Sequence, residues 1–407
     1  MNKKFQKALS SELAERKEKF AELAAKSQGI PRKYTEEEVD LIRRPLENVD
    51  EFLSLSHPRR DSEEVLGKSD GSVGLELPSV PVLYLMTVTR ELMAGNKVKA
   101  KIKEDNVDFI KEIVDSYRSV AEEFDDVEEV HKLIDFDFWS HKNFEKTRQF
   151  IQETDRTYTF TGDEVARLRE NRLEDVGLED EITIFSEGYS GIVILPSYEG
   201  DHLNEIVESF TWANGLYCEN AGFLAYPVGR DTVLEQASKE TSELKLGDPL
   251  DPESDIGSYP DYIRQEFDAY MNKIETLGYE IIQGGEVEGR SIQPTIVKIP
   301  RNTGESYRKI DDELVFSDNM FPLIFAFPYD EKEHVAKKID IATESTYRGY
   351  PLSIGVFGED QEEIDYILEK VKAEDHHVRE GTHRVNTMGP HEGEWMIDYI
   401  TSTLTST

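Results

Sequence analysis

Cys218 is the only cysteine of the 407-residue chain. Its thiolate is the strongest side-chain nucleophile near neutral pH. It stands in Trp212-Ala-Asn-Gly-Leu-Tyr-Cys218-Glu-Asn-Ala-Gly222, after a stretch from His202 to Trp212 that reads as a helix. Asn214-Gly215 predicts a short turn that presents the thiol just before the next structured segment. Partial exposure and nearby backbone N–H groups would activate it for attack on a carbonyl carbon. The competing reading is a small buried hydrophobe. Other candidates are weaker. His376, His377, His383 and His391 match no zinc-ligand spacing, and Asp375, Arg379 and Glu380 around them read as a solvated turn, so no metal site is expected. Gly188-Tyr-Ser-Gly191 lacks the spacing of a nucleophile elbow, which sets Ser190 aside. Trp139, Trp212 and Trp395 read as core or interface residues. Lys97, Lys99, Lys101 and Lys103 alternate as on one side of a strand, either a charged, solvated edge strand or a contact to a cofactor phosphate.

The sequence around Cys218 sharpens this. Downstream comes a helix-like segment from Arg230 with Val233, Leu234, Ala237 and Leu244 on its apolar side, stopped by Gly247-Asp-Pro-Leu-Asp-Pro252. Then follow Gly284-Gly285, Ile292-Gln-Pro-Thr-Ile-Val297, Glu313-Leu-Val-Phe316, Met320-Phe-Pro-Leu-Ile-Phe-Ala-Phe-Pro-Tyr-Asp330, the block from Ile341 to Asp360, and Arg384-Val-Asn386. Upstream, in order, stand Ala94-Gly-Asn-Lys-Val-Lys-Ala-Lys101 with Glu104, Phe160-Thr-Gly-Asp163, and Ser186-Glu-Gly-Tyr-Ser-Gly191. Together with Gly215-x-x-Cys218, this ordered set resembles the aldehyde dehydrogenase superfamily from Gly71 to Asn386. Residues before Gly71 have no counterpart in the resemblance.

The resemblance implies an α/β fold with a Rossmann-type cofactor domain, an α/β catalytic domain and a C-terminal oligomerisation strand. It divides the chain into 1–186, an N-terminal helical segment and nicotinamide-binding domain; 187–390, the catalytic domain carrying the cysteine; and 391–407, a tail. It implies NAD or NADP as cofactor. Cys218 would be the nucleophile, with Glu187 and Asn386 beside it in the catalytic set. Lys101 and Glu104 would contact the adenosine ribose, Thr161 and Gly162 the pyrophosphate, Glu313 the nicotinamide ribose and Phe316 the nicotinamide ring.

Three departures shape the expected reaction. Pro78-Ser-Val-Pro81 lacks the asparagine that the family gives to its oxyanion hole. Asp163 replaces a serine where a pyrophosphate would approach. Phe185 aligns with the family's general base, and Glu187 lies two positions on. Without a base, water is a poor acyl acceptor, whereas a thiol attacks through its thiolate fraction. The departures therefore favour acyl-CoA or acyl-thioester reduction or formation, with CoA as co-substrate. Aldehyde oxidation to a carboxylic acid is the alternative, and a non-catalytic homologue the third reading.

Acidic residues number 84 against 47 basic ones, a formal net charge of −37, and they recur along the whole chain. No concentrated basic surface is left for a phosphate backbone, which argues against nucleic acid as a partner. Evenly spread carboxylates suit concentrated salt, where screening relieves their repulsion. The melting temperature is therefore expected to rise steeply from low salt to molar KCl, and an unchanged value would contradict the halophilic reading. The longest apolar stretch, near Val80–Met86, is too short for a bilayer, and the N-terminus reads as an amphipathic helix without the apolar run of a signal peptide, so a cytoplasmic location is expected. The β-branched tail after Trp395 reads as a strand for pairing with another copy, giving a homodimer or larger homo-oligomer.

Periodicity places helices over 1–27, Val82–Met93 and Asp105–Glu123. Strands are expected over Val73–Leu77, Lys97–Ile102, Val130–Phe138, Tyr158–Thr161 and Ile182–Phe185. That alternation predicts a parallel sheet with helices on both faces.

Overall fold

The computed structural model describes residues 3–48, 51, 71–93, 96–124, 133–140, 142–178, 181–186, 188–301, 310, 312–343, 349–384, 390–391 and 394–395. The chain forms two compact units, one of residues 1–28, 32–186 and 386–407, the other of 29–31 and 187–385.

The first unit is built on five parallel strands: β1 (Ser72–Glu76), β2 (Lys97–Lys101), β3 (Ile134–Asp137), β4 (Arg156–Thr161) and β5 (Ile182–Ser186). Their order is β3-β2-β1-β4-β5. Such an order reverses direction between β1 and β4, and in open α/β sheets ligands bind at the carboxyl ends of the strands beside that switch point. The helix Val107–Glu123 buries Phe109, Ile110, Ile113, Tyr117, Val120 and Ala121, a stripe at three- and four-residue spacing. It packs in one core with Phe5, Leu9, Leu13 and Phe20 from the N-terminal helices Lys3–Glu15 and Lys17–Gln28.

The lysine run does not lie on an edge. β2 is bonded on both sides, by β1 and β3. Val98 and Ala100 face the core, while the lysines share the opposite face. There Lys99 pairs with Glu153 and lies 5.9 Å from the Phe150 ring, and Lys101 lies 5.4 Å from the Trp139 ring. Period-two spacing identifies a shared face but says nothing about neighbouring strands, which is why the edge reading fails.

The second unit holds β6 (Ser190–Ile194), β7 (Ala221–Pro227), β8 (Glu280–Gln283), β11 (Thr295–Lys298), β12 (Leu323–Tyr329), β13 (Ser353–Phe357) and β14 (Asp375–Val378). Their order is β14-β13-β6-β7-β12-β11-β8, and only β8 is antiparallel to its neighbour. β7 is buried throughout and β12 nearly so, as expected of strands covered on both faces. Gly191 on β6 leaves room for a ring: a Cβ there would lie 2.1 Å from Phe223. Two small hairpin pairs complete the described sheets, β9 (Val287–Glu288) with β10 (Ser291–Ile292) and β15 (Pro390–His391) with β16 (Glu394–Trp395).

The Asp375-His376-His377 segment is a correction to the solvated turn read from sequence. It is β14, paired in parallel with β13, and Asp375, His376 and His377 are half-buried. Isolated polar residues look like a turn until a partner strand satisfies their backbone. No helix among the described residues is long and apolar enough to cross a membrane. The tail proposed for oligomerisation lies, after Trp395, outside the described residues.

Candidate active site

Cys218 sits on the turn entering β7 and is half-buried, between the buried residues Tyr217 and Glu219. The helix Leu203–Thr211 ends in a 3-10 turn over Trp212–Gly215, in which Ala213 and Asn214 take left-handed φ values of 47° and 68°. Asn214 holds that shape with its side chain. Its Nδ2 donates to the Gly29 carbonyl at 2.9 Å, its Oδ1 accepts from the Gly257 N–H at 2.8 Å, and its own carbonyl accepts from the Tyr259 hydroxyl at 2.6 Å. Gly215 also has a positive φ, 69°, and a Cβ there would lie 2.6 Å from the Phe321 carbonyl carbon, so only glycine fits this approach.

After this turn the chain is pinned on both sides of the thiol. The Ser190 hydroxyl donates to the Cys218 carbonyl at 2.9 Å. Asn220 accepts from the Tyr217 N–H at 2.9 Å and donates to the Ser209 and Trp212 carbonyls at 3.2 and 3.3 Å. The Cys218 thiol itself donates to Glu219 Oε2 at 3.2 Å. The half-buried Cys218 thiol thus lies on a pinned turn with a buried carboxylate, a candidate proton acceptor, against its sulfur. Sequence reading passed over Glu219, although a carboxylate directly after the cysteine was the signal available.

Two further groups of titratable side chains belong to the same unit. Burial, with Glu374 and Glu219 adding to it, pushes the Asp375 carboxyl up to about 6. Burial pulls His377 down to about 4 and lowers His376 as well, so both imidazoles are neutral at pH 7. Glu205, Glu208 and His383 place one ligand atom each within 4.8 Å of one another. Arg384 already spans both carboxylates there at 3.0 Å, and the His383 ring stacks on Trp212 with centroids 4.9 Å apart. These contacts fasten the segment 381–384 to the helix that leads to the cysteine.

The proposed cofactor residues fall into two groups. Lys101 ends β2, Thr161 ends β4, and Gly162 precedes the helix Asp163–Glu174. All three lie at the carboxyl edge of the first sheet, and Glu104 is exposed just after β2. Phe316 belongs to the second unit and is 3% exposed, within 5.4 Å of Tyr189 and 5.0 Å of Phe223 between ring centroids. Glu313 lies in the short helix Asp312–Val315. Glu187 and Asn386 lie outside the described residues.

Sequence reading also missed a buried ionic cluster at the same sheet edge. Glu76, the last residue of β1, accepts from Lys101 Nζ at 3.0 Å, from Arg169 and from the Thr159 hydroxyl. Arg169 also donates to Thr159 Oγ1 at 2.7 Å. The side chains of Glu76, Arg169 and Lys101 are 4%, 7% and 14% exposed, so two cations share one buried carboxylate. Burial pulls Lys101 down to about 8 and Arg169 to about 10. Lys103 turns its ammonium back onto the Ser79 hydroxyl, and burial of that head group lowers it too. A concentration of positive charge at the switch point, beside a helix N-terminus without a side-chain cap, suits the phosphates of a dinucleotide.

Comparison with known proteins agrees with this architecture. The sequence from 159 to 395, more than half of the chain, matches the model of the aldehyde dehydrogenase family. A search of curated protein sequences gives no match. Among solved structures, a glyceraldehyde-3-phosphate dehydrogenase from Methanocaldococcus jannaschii, complexed with NADP, is 15% identical with a TM-score of 0.78, over 99% of this chain and 89% of that one. An aldehyde dehydrogenase from Bacillus cereus, solved as an NAD+ complex, is also 15% identical, with a TM-score of 0.77 over 99% of this chain and 83% of that one. A 3,6-anhydro-L-galactose dehydrogenase is 14% identical with a TM-score of 0.76, over 97% and 85% of the two chains. The N-terminal helices, which carried no sequence resemblance, are thus part of the shared fold. The fold and the family match together make this chain a member of the aldehyde dehydrogenase family.

Proposed function

We propose that the protein is an NAD(P)-dependent oxidoreductase working through a covalent adduct on Cys218, with a thiol such as CoA as acyl acceptor. The observation that carries this reading is the half-exposed Cys218 thiol held on the Asn214–Gly215 turn. Its sulfur adds to an aldehyde carbon, giving an oxyanion for which the backbone N–H of Cys218 itself is an expected donor. Bound nicotinamide supplies the hydride acceptor. Loss of hydride leaves an acyl thioester on Sγ, which the acceptor thiol then attacks. Run backwards, the same steps reduce an acyl-CoA to an aldehyde.

The choice of a thiol acceptor rests on position 185. Phe185 on β5 stacks on Phe160, with ring centroids 4.9 Å apart, and offers no proton acceptor. A general base contributes about 10²–10⁴-fold. Oxidation of aldehydes in buffer alone is therefore expected to be slower, by on the order of 10²-fold, than with CoA added. Equal rates with and without CoA would overturn the thiol-acceptor reading and assign deacylation to water. NAD and NADP are the two electron acceptors to compare; Lys103 and the first turn after Gly162 are expected to hold the dinucleotide phosphates, and Lys101 is expected at the adenosine ribose. Glu104 is expected at the adenosine ribose as well, Glu313 at the nicotinamide ribose and Phe316 at the nicotinamide ring.

A further inference from the structure

Resting on the reading of Cys218 as the nucleophile, we propose that Glu219 is a catalytic residue: its carboxylate takes the Cys218 proton as sulfur attacks and returns it when sulfur leaves. Glu219 is 8% exposed, and its Oε2 lies 3.2 Å from Sγ. A carboxylate so placed accepts a hydrogen bond from the thiol without competition from bulk water, and a thiol with an adjacent base is the standard way to activate a nucleophile at neutral pH.

The steps balance. In the attack, the S–H pair forms the S–C bond, the proton passes to Glu219 Oε2, and the carbonyl π pair moves to oxygen. In the final step, the acceptor thiolate forms a new C–S bond, the bond from carbon to Sγ breaks, and the proton on Glu219 returns to Sγ. The proton of the acceptor thiol is released to solvent. Over the cycle Glu219 ends as it began.

One titratable group on β14, Asp375, interacts with Glu219. Asp375 at the start of β14 senses both Glu219 and Glu374, which adds to the effect of its burial. The neighbouring histidines on β14, His376 and His377, are both lowered by burial and bring no compensating positive charge at neutral pH.

The test is cofactor-independent. p-Nitrophenyl acetate acylates an activated thiol and releases nitrophenolate, so the burst rate reports attack by Cys218 alone. In the unaltered full-length protein in molar KCl, that rate is expected to stay nearly flat from weakly acid to alkaline pH. Glu219→Gln is expected to be slower by about 10²-fold near neutral pH and to recover towards the unaltered rate at alkaline pH, where the thiol ionises unaided. Glu219→Asp, which keeps a base at shorter reach, is expected to fall between the two with a flat profile. A neutral-pH rate for Glu219→Gln equal to that of the unaltered protein would overturn the proposal. So would a loss that alkaline pH does not restore, which marks a structural role, or the absence of any burst at Cys218. The expected profile without nicotinamide reduction by any aldehyde would uphold Glu219 and overturn the proposed oxidoreductase instead.

Discussion

Cys218→Ala is expected to abolish nicotinamide reduction with every aldehyde, a loss on the order of 10⁶-fold, as when a covalent nucleophile is removed. The fold should survive, because the change removes one sulfur from a half-buried position and leaves the Asn214, Ser190 and Asn220 contacts, two of which involve only backbone at 217 and 218. Rapid-mixing measurement of reduced cofactor, with circular dichroism as the check on folding, reads both halves. Residual turnover within about tenfold of the unaltered protein would assign the chemistry to another group.

The second large effect is structural. Arg169→Ala leaves the buried Glu76 carboxylate with Lys101 and the Thr159 hydroxyl from the cluster. Removing one partner of a buried ion pair costs about 3–5 kcal/mol when the remaining charge is left unpaired, and with Lys101 still on Glu76 the loss is expected at about 2–3 kcal/mol. Chemical denaturation in molar KCl is expected to show a loss of that size. The triple change Glu76→Leu, Lys101→Met and Arg169→Met is expected to recover much of it, since well-packed apolar side chains can replace a buried ionic triad. A loss below about 1 kcal/mol for Arg169→Ala would mean that the cluster behaves as a surface ion pair.

The elements that position these groups were legible where local periodicity fixes them. The apolar stripe of Val107–Glu123 and the short strands at Ser72–Glu76 and Arg156–Thr161 stand where spacing predicts them, to within a few residues. The Gly215-x-x-Cys218 turn was legible for a different reason, since Asn and Gly adopt positive φ at lower cost than other residues.

Non-local pairing was not legible. Whether β2 lies inside a sheet, and whether Asp375-His376-His377 forms a strand, depends on β1, β3 and β13, which lie elsewhere in the chain. Glu76 and Arg169 are separated by 93 positions and carry no shared pattern. Glu219 was visible as a neighbour of Cys218, but only the turn shows its carboxylate directed at the sulfur. Asn214 likewise reveals its role only through its bond to Gly29, which is 185 positions away.

The central claim is that an acyl group rests covalently on Cys218 while cofactor is reduced. The most direct measurement mixes the unaltered protein in molar KCl with an aldehyde and NAD+ or NADP+, omits CoA, quenches in acid within the first turnover, and determines the mass of the peptide containing Cys218. The account predicts an acyl adduct on that peptide, formed together with one equivalent of reduced cofactor and discharged when CoA is added. Reduced cofactor without an adduct on Cys218, or an adduct on another residue, would contradict it.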